Sequence, residues 1–123
     1  MKRNSYRQAA KLFHLLSHPA RLHILDELRK GEACVCHLQA VLGRPQAYVS
    51  QQLRVLREAG VVQDRKDGLL VHYRVADRQV ERLLGEILGP AGEPTCVPGC
   101  PCPRCQIENL AMPGLAPASE RAG

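Results

Sequence analysis

Glycine divides this chain into short pieces. Gly31, Gly43 and Gly60 each close a stretch in which aliphatic side chains recur with helical spacing, and Gly89-Pro90 closes another. Between Gly60 and the last such stretch, Asp67-Gly68 separates two runs of strand type. A chain cut this way can build a bundle of short helices carrying a hairpin, and little else. Its core must be aliphatic: 45% of the residues are hydrophobic but only 3% are aromatic, with Phe13 the single Phe and no Trp. At 123 residues there is room for one domain and not for two.

The pieces read as follows. Ser5 to Leu16 carries Leu12, Phe13, Leu15 and Leu16 in a helical pattern that ends before Pro19. Pro19 suits the first position of a second helix, capped by Ser17 or His18, with Leu22, Ile24, Leu25 and Leu28 as its apolar set. Val35 to Leu42 makes a third helix. Pro45 to Ala59 makes a fourth, with Val49, Leu53, Val55 and Leu56 on one side. Val61 to Lys66 and Leu69 to Val75 pair as a hairpin about Asp67-Gly68. Asp77 caps a final helix in which Val80, Leu83, Leu84, Ile87 and Leu88 follow i, i+3, i+4, i+7, i+8 spacing. This gives a mostly α domain with a small β-hairpin over residues 1–90. Residues 91–123, rich in Pro, Gly and Cys, follow as a flexible or ligand-ordered tail.

Two short helices joined at Gly43-Arg44 and followed by a basic hairpin form a winged helix-turn-helix. A net charge of +5 makes a polyanion a reasonable partner. The helix from Pro45 is narrow enough for the major groove. Gln46 and Gln51 can read an adenine edge and Ser50 either base type, while Tyr48 can stack or meet a phosphate and Arg54 suits the backbone. Arg65 and Lys66, next to the hairpin tip, suit phosphate or the minor groove. The same side chains also serve merely to solvate an exposed face. The apolar stripe of Val80, Leu83, Leu84, Ile87 and Leu88, with Leu12, Leu15 and Leu16, exceeds what one small domain needs to cover its core. Part of it is therefore expected to pair two copies about a two-fold axis.

Residues 12–31 (LFHLLSHPARLHILDELRKG), 34–43 (CVCHLQAVLG), 46–62 (QAYVSQQLRVLREAGVV) and 67–75 (DGLLVHYRV) together resemble the ArsR–SmtB family of metal- and metalloid-responsive repressors. The resemblance covers about residues 7 to 88. It implies a homodimer on palindromic operator DNA that represses its own promoter or a neighbouring resistance operon until an effector binds.

Nothing resembling an export signal or membrane span follows the basic start, so a cytoplasmic location is expected, where thiols stay reduced. Six cysteines there suit metal or redox chemistry better than a disulfide framework. Cys34 and Cys36 would point about 200° apart on a regular helix, so they can share an ion only if the first turn loosens. The resemblance implies a thiolate site at Cys-Val-Cys, as in arsenic- and cadmium-responsive members. Gln39, however, stands where arsenic-type members commonly carry a third cysteine, and His37 replaces the usual acidic residue.

The missing ligands are expected from Cys96, Cys100, Cys102 and Cys105, which lie among turn-forming prolines. They can close over Cys34 and Cys36 in cis or in trans, form a separate four-Cys site, or act as a loose scavenging arm. Three thiolates suit As(III) or Sb(III), and four suit tetrahedral Cd(II) or Zn(II).

The family's other sensor site, two His with carboxylates on the last helix, has only Asp77 here. His14, His18, His23, His37 and His72 are expected on the surface or half-buried. No cysteine-phosphatase spacing, Gly-rich phosphate loop or Ser/His/Asp set points to an enzyme. Two alternatives stand beside metal-triggered release: a thiol redox or persulfide switch on the same scaffold, and a metal-buffering protein acting through its tail.

Overall fold

A computed structural model describes residues 3–93 together with 97 and 100. These form five helices and three strands, in the order α1 (Arg3–Leu16), α2 (Pro19–Leu28), β1 (Ala33–Cys34), α3 (Val35–Leu42), α4 (Gln46–Glu58), β2 (Val62–Asp67), β3 (Leu70–Val75) and α5 (Arg78–Leu88). The winged helix-turn-helix is therefore present, mostly helical with a small antiparallel sheet.

Local chemistry explains the boundaries. Pro19 holds His18 extended (φ −133°, ψ 124°) and starts α2 at its first turn. His18 occupies the N-cap position without a side-chain cap bond, and the Ser17 hydroxyl instead donates back to the His14 carbonyl at 2.8 Å. Gly43 ends α3 in the left-handed region (φ 66°), a conformation open to glycine at no steric cost. Asp77 caps α5 as its sequence suggests, accepting from the Gln79 and Val80 amides at 2.8 and 3.2 Å.

Two features of the sheet differ from the sequence reading. The hairpin loop is Gly68-Leu69, one residue later than Asp67-Gly68, because Asp67 pairs with Leu70. Only the first loop residue, Gly68, has positive φ (65°), which suits a turn with glycine leading rather than one needing two left-handed residues. The sheet also has a third strand. Ala33 and Cys34 pair antiparallel with Tyr73 and His72, giving the order β1-β3-β2. The wing is thereby joined to the start of α3.

The core is aliphatic. Ile24, Leu25, Leu28, Leu38, Leu53 and Leu56 are buried between the helices, and Val61 and Val62 carry the core into the sheet. Leu16, Val80 and Leu84, expected at a dimer interface, are packed into this same core. Leu12, Leu15 and Leu83 are half-buried, and Ile87 and Leu88 are exposed.

Candidate nucleic-acid interface and thiol site

The polar side of α4 faces outward. Gln46, Ser50, Gln51 and Arg54 are exposed, while Val49, Leu53 and Leu56 anchor the opposite side. Tyr48 is half-buried, and the Arg44 guanidinium lies 3.8 Å above its ring centroid, a cation–π contact that fixes the entry to the helix. Gln52 accepts from Arg21 Nε at 2.8 Å, tying α4 to α2.

On the wing, Lys66 is exposed and has no ion-pair partner among the described residues. Arg65 is exposed but engaged: its Nη2 and Nε donate to the two carboxylate oxygens of Glu32 at 2.8 and 3.3 Å. That hydrogen bond holds the Glu32 carboxyl below its ordinary value, against a smaller upward push from burial. Glu32 and Arg44 were not singled out from sequence. The first is visible only once β1 joins the wing, and the second only once α4 is capped.

Cys34 closes β1 and stands at the N-cap of α3 in extended conformation (φ −89°, ψ 171°), so it lies outside the helix that holds Cys36. The two therefore separate, Cys34 buried and Cys36 exposed. Buried Cys100 comes to Cys34 instead, with the sulfurs 3.6 Å apart. Cys100 Sγ also lies 3.8 Å from His37 Nδ1. His37 Nε2 is 3.0 Å from Glu27 Oε1, and Lys30 Nζ is 3.1 Å from Glu27 Oε2. The sequence-predicted ligands Cys96, Cys102 and Cys105 lie outside the described residues.

Two of the five histidines depart from expectation. His37 is fully buried and His72 is 1% exposed, while His14, His18 and His23 are exposed. Tertiary pairing causes both burials. His37 turns inward to Glu27, and His72 lies opposite Cys34 in the sheet, its two ring nitrogens without a hydrogen-bond partner among the described residues. Two buried thiols beside an imidazole oriented by a carboxylate can bind a thiophilic ion or oxidise to a disulfide.

Residues 18–64, which span α2 to the start of the wing, match the family described as "Bacterial regulatory protein, arsR family". The regulator NmtR of Mycobacterium tuberculosis is 40% identical over 81 residues, covering 66% of this chain and 68% of that protein. The chain belongs to the ArsR family. The transcriptional repressor SmtB homolog of Synechocystis is 37% identical over 87 residues, covering 71% of this chain and 66% of that protein, just under two thirds.

Among solved structures, the homodimeric winged helix-turn-helix DNA-binding domain Mb0332 of Mycobacterium bovis superposes with a TM-score of 0.64 at 30% identity. The overlap takes in 69% of this chain and 79% of that one. These relatives are a transcriptional regulator, a transcriptional repressor homolog and a possible ArsR-family transcriptional regulator. No helix of the described residues is long and apolar enough to cross a membrane.

Proposed function

We propose that this ArsR-family chain is a cytoplasmic transcriptional repressor that holds operator DNA as a homodimer and releases it when a thiophilic ion binds its thiols. Candidate ions are As(III) or Sb(III), and Cd(II) or Zn(II). The observation that carries the reading is the buried Cys34–Cys100 pair, 3.6 Å apart, at the hinge of the DNA-reading unit. Cys34 stands at the N-cap of α3, which supports α4, and its strand pairs with β3 of the wing. An ion bound there trades local geometry for metal–sulfur bonds at the junction of both reading elements. Coupling of about 1–3 kcal/mol, roughly 5–150-fold in operator affinity, is typical of such switches.

DNA recognition falls to Gln46, Tyr48, Ser50, Gln51 and Arg54 on α4 and to Arg65 and Lys66 on the wing. Dimerisation is supported by apolar surface left uncovered: Phe13 is 59% exposed and Ile87 67%, and Phe13 lines a groove of about 710 Å³ with Leu12 and Leu83. The homodimeric Mycobacterium bovis relative supports the same reading.

The test is a gel shift on the chain's own promoter, challenged in turn with As(III), Cd(II), Zn(II) and peroxide. Cys34→Ser is expected to bind operator yet stay bound when ion is added. Release of that variant as readily as the parent would sink the assignment. The 3.6 Å separation also supports a second reading, an oxidant-driven Cys34–Cys100 disulfide. Release reversed by a phosphine reductant but not by a non-thiol chelator favours that reading, and the converse favours the ion.

A further inference from the structure

The buried cluster behind α3 contains a nitrogen donor as well as two sulfurs. We propose that Cys34, Cys100 and His37 Nδ1 form one mixed thiolate–imidazole site for a borderline divalent ion, Cd(II) or Zn(II), with Glu27 as the residue that positions the imidazole and Cys36 outside the set. This rests on the reading that an ion is the effector, and it names that ion's ligands.

Three observations carry it. The first is spacing. Bonds of about 2.3 Å to sulfur and about 2.0–2.1 Å to nitrogen, at tetrahedral angles, put two sulfurs about 3.8 Å apart and a sulfur and a nitrogen about 3.6 Å apart. The measured separations are 3.6 Å for Cys34 to Cys100 and 3.8 Å for Cys100 to His37 Nδ1. Both match edges of such a polyhedron.

The second observation is the far side of the ring. A metal-bound imidazole generally donates its other N–H to a carboxylate, which fixes the tautomer and raises ligand basicity. Here His37 Nε2 meets Glu27 Oε1 at 3.0 Å, while Nδ1 on the other side of the ring lies 3.8 Å from the Cys100 sulfur. Lys30 holds the second carboxylate oxygen at 3.1 Å, so the carboxylate is itself anchored.

The third is burial. Cys34 and Cys100 are each 3% exposed and His37 is fully buried, while Cys36 faces a surface groove lined by Gln39, Ala40 and Arg44. Among the described residues no three Cys, His, Asp or Glu side chains already surround one point, so the ion draws the set closed as it binds. That closure acts on the N-cap of α3, the position from which the DNA-reading unit is hung. A set of two sulfurs and one nitrogen also disfavours As(III), which takes three thiolates, and suits the divalent ions.

The full-length protein titrated with Cd(II) alone tests this through thiolate-to-metal charge-transfer absorption and chelator competition. The first equivalent is expected to show two thiolates. Cys34→Ser and Cys100→Ser should each lose half of that intensity, and Cys36→Ser none. Glu27→Gln should keep the intensity but bind about 10–100-fold more weakly. Because His37→Gln removes a buried ring, Glu27→Gln carries the nitrogen arm of the test.

A first equivalent with three or four thiolates, a loss in Cys36→Ser, no loss in Cys100→Ser, or parental affinity in Glu27→Gln would each overturn the site. Operator release is scored separately. Cd(II) bound at this set without release sinks the effector reading and leaves the site standing. Cd(II)-driven release from Cys100→Ser at the parent's concentration removes the site and leaves the effector reading.

Discussion

Arg65 has two claimants. Glu32 holds its guanidinium bidentately, yet it sits on the wing where a phosphate would arrive. Replacing Glu32 with Gln removes the competing charge, so operator binding should tighten at low salt for all sequences. The dependence of log affinity on log salt should steepen by about one counterion. An unchanged slope would show that Arg65 never reaches DNA.

The pair also has a pH signature. The Glu32 carboxyl is held low by Arg65, so its contribution is present above the ordinary carboxylate value of 4.5 and is lost as pH falls through the lower folded value. Urea midpoints of the parent should therefore drop more steeply than those of Glu32→Gln in that acid window, by a modest amount because both side chains are partly solvated. Gln51→Ala belongs to the same scale. It should relax discrimination at one base pair, costing about 1–3 kcal/mol by competition binding, without altering the salt slope.

At the scale of elements, most of the helix-turn-helix was legible before any contact was known. Val35–Leu42 and the Asp77-capped α5 follow from aliphatic spacing bounded by a glycine and an N-cap, signals that lie within a few residues of each other. What failed to show in sequence depends on partners far along the chain. β1 is two residues long and exists because Ala33 and Cys34 meet Tyr73 and His72. The buried states of His37 and His72 depend likewise on Glu27 and on the sheet.

The thiol cluster was half legible. A tail cysteine closing over Cys34 is one of three arrangements left open in sequence, and the separation of Cys34 from Cys36 is expected. That Cys34 stands outside α3 at an extended N-cap and meets Cys100 shows only in the fold. One prediction belongs here. Arg65→Ala with Lys66→Ala should weaken binding to all DNA and lower the salt slope by up to about one counterion each, leaving base discrimination intact by competition assay.

For the whole molecule, part of the apolar surface holds one copy together and part is left exposed, where the proposed dimer would form. Leu53 is fully buried in the aliphatic core, so Leu53→Ala should cost about 2–5 kcal/mol in urea unfolding. Phe13 and Ile87 are exposed on the described chain, so Phe13→Glu with Ile87→Glu should leave the helical fold intact by circular dichroism and lose only the part of urea stability that depends on protein concentration. The same pair should shift the protein from dimer to monomer in sedimentation and weaken operator binding accordingly. A double variant that remains dimeric would move the interface elsewhere.

The proposed switch is an ion held at Cys34 that loosens the grip on DNA. Its most direct measurement is operator affinity by fluorescence anisotropy, with and without saturating Cd(II), for the parent and for Cys34→Ser. A loss of roughly 5–150-fold is expected for the parent and none for the variant. Equal affinity of the parent in both conditions would contradict it.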